Sequence, residues 1–110
     1  MPNFAEFLAA VGTRFRARVT ATEEVAFELI QATPGRAPAG SAGQGASYES
    51  FSLLFRSPGQ RVIPQGTYPF QHDQLGLFEM FIVPVGQETD AVIYQAVFNC
   101  LVETAKSQAG

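Results

Sequence analysis

Over residues 4–11, Phe4, Phe7, Leu8 and Val11 recur at i, i+3, i+4 and i+7, the spacing that collects side chains on one face of a helix. Asn3 stands at the N-cap position with Glu6 three residues later, the pair that satisfies the first turn reciprocally, and Gly12 supplies the stop. About two turns of helix do not hold alone in water, so this one must pack across the open end or one face of a sheet. From Thr13 the period becomes two. In TRFRARVT, Phe15, Ala17 and Val19 alternate with Arg14, Arg16 and Arg18. In EEVAFELIQ, Val25, Phe27 and Leu29 alternate with Glu24, Ala26 and Glu28. A turn over residues 20–22 then sets Arg18 opposite Glu24 and Arg14 opposite Glu28, with the apolar residues of both strands facing inward.

Residues 33–47, TPGRAPAGSAGQGAS, break this alternation with Gly, Pro and Ala. They predict a mobile excursion, over 35–47 at its core, within one domain spanning 1–110 rather than a boundary between two. Alternation resumes in YESFSLLFR with Phe51, Leu53 and Phe55. SPGQRVIPQG is turn-rich, and GTYPFQH is a short strand whose Pro69 suits an edge or a bulge. DQLG turns into LFEMFIVPVG, and AVIYQAVFNCLVE is a long last strand carrying Val92, Tyr94, Ala96, Phe98 and Cys100 on one parity. The polar tail, 105–110, is expected to fray. Six evenly spaced strands and one short helix predict a mainly β fold, a small antiparallel barrel or sandwich.

Composition narrows the function. The chain has 110 residues, 46% hydrophobic and only 15% charged, which excludes intrinsic disorder and leaves a surface poor in ions. Seven Lys+Arg against ten Asp+Glu, net charge −3, argue against a general nucleic-acid binder. The opening MPNFAEFLAA lacks a positive leader, and no apolar run approaches about 18 residues, so a cytoplasmic product with no membrane span is expected.

Candidate chemistry is sparse. His72 is the single histidine, and Asp73 beside it points elsewhere if both sit at a turn. One His and one Cys fall short of a metal set, so neither metal nor cofactor is expected. Cys100 lies on an apolar strand with no cation near it in sequence and reads as core filling. Gly40, Gly43 and Gly45 lack the Lys-Ser/Thr pair of a phosphate loop, since the sole lysine is Lys106. Arg14, Arg16 and Arg18 form a stripe spaced about 7 Å apart, but the glutamates expected opposite make it a paired, solvated face.

More informative are strands apolar on both parities. LFEMFIVPV carries Leu77, Phe81 and Val83 on one side and Phe78, Met80 and Ile82 on the other; Ile30, Leu54, Ile93 and Val97 repeat the trend. A strand apolar on both sides needs cover on both sides, and one helix covers little. The expected interaction surface is Phe78, Met80, Ile82, Ile93, Val97 and Leu54, meeting another chain in a homo-oligomer or a protein partner. The other reading is a ligand-binding barrel with its mouth near Tyr68, His72 and Tyr94.

The run FSLLFRSPG, IPQGTYPFQHDQLGLFEMFIVPVG and VIYQAVFN resembles a family of small bacterial proteins classed as a domain of unknown function. That family's usual wording is FSLLFRGP, LPQGTY, H-x-x-LG-x-x-E-x-F-x-VP-x-G and Y-x-AVFN, matched here over residues 51–58, 63–68, 72–86 and 94–99. Phe4, Phe7 and the segment 12–15 fit its opening, and the loop at 35–47 is where this chain departs from relatives. The resemblance carries no catalytic residues. Genes for similar proteins often lie beside those for phage-tail-collar-like, microcystin-dependent-type proteins, which implies a role in assembling or decorating a tail-like fibre. The expected function is a non-enzymatic interaction module.

The arginine stripe gives the first test. Replacing Arg14 and Arg18 by Gln should cost at most about 1 kcal/mol per pair in chemical denaturation. Anisotropy titrations with DNA and RNA at about 50 and 200 mM salt should show no binding. Micromolar binding at the lower salt that vanishes in the double variant would overturn the paired-face reading.

Overall fold

The computed structural model describes residues 2–35 and 46–103. Most of the expected 35–47 loop and the expected frayed tail at 105–110 therefore lie outside the described residues. The elements are α1 (Phe4–Ala9), β1 (Arg14–Thr20), β2 (Glu23–Pro34), β3 (Ala46–Pro58), β4 (Gly66–His72), β5 (Gly76–Gln87) and β6 (Ala91–Glu103). The strands close into an antiparallel barrel in the order β1-β2-β3-β6-β5-β4. Of the two architectures expected from sequence, the barrel is the one formed. Among the described residues no helix is long and apolar enough to cross a membrane.

The first hairpin pairs as the charges demand, Arg14 with Glu28 and Arg18 with Glu24, so Phe15, Ala17, Phe27 and Leu29 face inward. A register shift between Leu29 and Gln31 then leaves both Ile30 and Gln31 outward, moves the inward parity to Ala32, and carries β2 on to Pro34, which pairs with Phe51. Thr33 and Pro34, expected in the loop, are thus ladder residues. The β1–β4 seam is short, Arg16 with Gln71 and Ala17 with Phe70. It ends at the residue after Pro69, in keeping with proline's missing donor. The β3–β6 ladder, by contrast, runs from Ala46/Glu103 to Pro58/Ala91.

Each end of the barrel is stoppered. At one end sits α1, with the capping box formed: the Asn3 and Glu6 side chains each accept the other's backbone N–H, at 2.8 and 2.9 Å. The helix stops at Ala9, short of the expected residue 11. Gly12, at φ +92°, turns the chain, and its N–H bonds the Leu29 carbonyl at 2.7 Å. Leu8 and Val11 consequently stay exposed, and Phe7 alone is driven fully inside. Its ring meets Phe15, Phe51, Phe78 and Phe98 with centroids 5.7–6.3 Å apart. At the other end, the segment between β3 and β4 folds over the opening and buries Ile63.

Because Phe7 is a plug with no neighbour able to fill its place, Phe7→Ala should cost about 3–5 kcal/mol. Leu8→Ala, on the exposed side of the same helix, should cost much less. Urea unfolding of the two variants checks the difference.

Candidate functional site

The three residues expected at a ligand mouth do not converge on one. Tyr94 is wholly buried in β6, and its hydroxyl accepts the Ile63 N–H at 2.7 Å. Tyr68, half-buried in β4, donates its hydroxyl to the Pro64 carbonyl at 2.6 Å. The two tyrosines therefore grip consecutive residues of the same closing segment. Gln60 Nε2 donating to Thr89 O at 3.1 Å, Gly59 N donating to Asp90 O at 2.7 Å and the Arg61–Glu23 ion pair hold that segment from outside. Tyr68 and Tyr94 are fasteners of a lid, not the rim of a pocket.

His72 lies at the helix end of the barrel, buried against Phe15 with ring centroids 4.4 Å apart. Its Nδ1 accepts the backbone N–H of Gln74 and of Leu75, both at 3.1 Å, and its Nε2 stands 2.8 Å from Thr13 Oγ1. The Thr13 hydroxyl donates to Ala10 O at 2.6 Å, which leaves its oxygen to accept from Nε2–H. These contacts use both ring nitrogens and fit the tautomer that carries its proton on Nε2. Asp73 points away to Arg16, 3.5 Å distant, as the turn reading requires. Thr13 could not be named from sequence as the histidine's partner, because 59 residues separate them.

The expected interaction surface needs correction on one strand. Phe78, Met80 and Ile82 face the barrel interior and are buried. The cause is the β4–β5 hairpin, which sets Phe70 opposite Phe78 and Tyr68 opposite Met80, so the inward parity of β4 fixes that of β5. The outward apolar residues of β5 are Leu77, 76% exposed, and Phe81, 51% exposed. On the neighbouring strands the expectation stands nearer the structure: Val97 is 69% exposed, while Ile93 and Leu54 are half-buried on the outer face. Leu54, Gln95 and Val83 lie in register across β3, β6 and β5, with Ser52 opposite Val97 and Thr67 opposite Phe81.

Over residues 66–72, 76–87 and 91–98 this outer face carries one charge, Glu79, between Leu77 and Phe81. The opposite side, β1 to β3, holds Arg14, Arg16, Arg18, Glu24, Glu28 and Arg56. Arg18 meets Glu24 at 3.6 Å and Arg56 meets Glu88 at 3.0 Å. Arg14, Ala26, Glu28, Arg56 and Pro58 line a shallow groove of about 340 Å³ there. Glu28 sits in register between the two arginines and balances them. The described residues gather no cluster of three or more His, Cys, Asp or Glu that could hold a metal ion. The side chain of Cys100 lies outside the described residues.

Burial pushes the Tyr94 hydroxyl above the ordinary phenol value of 10.0, opposed in part by the Ile63 N–H that would favour phenolate. The folded state then holds this proton more tightly than the unfolded chain. Its contribution is complete below pH 10 and falls as pH rises beyond it. Spectrophotometric titration near 295 nm should show one late tyrosine, absent in Tyr94→Phe. That variant orphans the Ile63 N–H and should lose about 1–3 kcal/mol at neutral pH.

No curated protein and no solved structure matches the chain. A family model does, over residues 2–98, which takes in the helix plug, both tyrosine fasteners, His72 and the nearly uncharged face. The chain belongs to that family, a domain of unknown function (DUF6916).

Proposed function

We propose that the chain is a non-enzymatic protein-interaction module that works by assembly, as a component of a phage-tail-like fibre system. The observation that carries the reading is the nearly uncharged outer face of β4, β5 and β6. Leu77, Phe81 and Val97 each leave at least half of their surface in water there. Contiguous apolar surface on a folded domain marks a docking site more often than chance, and depletion of charge is the compositional sign of an interface centre. The interior supports the same reading, since rings fill it and both ends are stoppered. The fibre setting draws on the gene neighbours that the family resemblance implies, and a second copy of the chain or a tail-collar-like fibre protein is the proposed partner.

Sedimentation or light scattering at micromolar concentration should give a dimer or larger species. Leu77→Gln with Phe81→Gln should shift it to monomer while leaving the melting temperature nearly unchanged, because neither side chain belongs to the core. A wild type that stays monomeric at high concentration, with no fibre protein retained on it, would sink the proposal.

A further inference from the structure

His72 is buried with both ring nitrogens in hydrogen-bond contact with the chain around it. Backbone amides only donate, so Nδ1, facing the N–H groups of Gln74 and Leu75, must carry a lone pair. Nε2–H is committed to Thr13 Oγ1, whose own proton goes to Ala10 O. A second proton can enter the ring only at Nδ1. There it would confront two N–H dipoles, inside a site closed by Phe15 and screened from water. A ring protonated at Nδ1 no longer accepts from these two amides.

The charged groups around the ring do not offset this. Asp73 is next in the chain, but its carboxylate is largely exposed and directed at Arg16 of β1. Arg14, the next cation along β1, is exposed; Glu6 on α1 is exposed and engaged with Asn3. Glu79 of β5 and Glu28 of β2 lie on outward positions of their strands. Among the described residues no carboxylate hydrogen-bonds the ring.

We propose that His72 is an acid-sensitive latch joining the β4–β5 turn to the α1–β1 junction, closed when the ring is neutral and released when Nδ1 takes a proton. Release removes the acceptor of two turn amides at once. It also withdraws the ring from Thr13, the residue that follows the helix plug and whose carbonyl is tied to Leu29 of β2 at 3.1 Å. Leu75, packed partly against the core, leaves with the turn. The latch does not depend on the assembly reading.

Protection of the Gln74 and Leu75 amides, measured by hydrogen exchange and corrected for intrinsic rates, should be constant above neutral pH. On acidification it should fall, with a slope no steeper than about tenfold per pH unit for a single proton taken up. In His72→Asn the Oδ1 accepts the same two N–H groups and takes no proton, so its protection should stay flat over that range. Equal acid loss in both proteins, or undiminished wild-type protection at pH 5, would overturn the latch. Should the variant fold poorly, imidazole ¹⁵N shifts of the wild type at pH 7.5 decide the matter. A protonated Nε2 with bare Nδ1 supports the latch; the reverse tautomer refutes it.

Discussion

A barrel of six strands encloses too little space for a ligand and too much for backbone alone, so its closure depends on side chains that fill the axis. Here aromatic rings do so as a continuous column. Phe7 enters from the helix, stacks near Phe15, and Phe15 meets Phe55 edge-on at 5.4 Å. Phe55 meets Phe27 at 6.3 Å, and Phe27 meets Tyr94 at 5.2 Å. The Tyr94 hydroxyl then reaches the closing segment at Ile63. One column ties the two stoppers together, and edge-on contacts between such rings add to their burial. That Tyr rather than Phe ends the column follows from the polar backbone it meets there. Among the described residues every buried side-chain nitrogen and oxygen has a partner.

With the axis occupied, the outside is left to carry specificity, and it is divided. The strands that begin the chain bear alternating arginine and glutamate, which pair across the first hairpin and give a solvated surface of modest electrostatic strength. The strands that end it bear leucine, phenylalanine and valine where a lone folded barrel has no use for them. A low overall charge is therefore not spread evenly: it is concentrated on one half and withdrawn from the other. On the proposed reading, the charged half faces water and the apolar half faces a partner.

The fold was legible in the sequence to the extent that neighbours in the chain became neighbours in space. The capping box, the first hairpin with its charge register and the existence of six strands all follow from local spacing. Sequence reasoning assigned the wrong face of β5, although the same hairpin logic was at hand. Phe70 and Phe78 are equidistant from the 73–75 turn and so must share a side. The bulge at Ile30 reversed the parity of β2 with no glycine to announce it. Contacts such as Thr13 with His72 and Ile63 with Tyr94 join segments far apart in the chain, and no local pattern encodes them. Tyr68, His72 and Tyr94 read as a mouth because polar aromatic groups on strands suit one, yet each hydroxyl or ring nitrogen is spent on the protein's own backbone or on Thr13.

The unequal seams have a consequence for how the chain reaches this state. The β1–β2 and β4–β5 hairpins join residues close in sequence and form without long excursions. The β1–β4 seam must bring residues 16 and 17 to 71 and 70, across about half of the chain, for only two rungs of ladder. Its loop entropy is spent late and for little return. Closure at this seam thus returns the least pairing for the loop it must close, in a barrel whose ladders are dominated by non-local pairing, the topology that folds slowly.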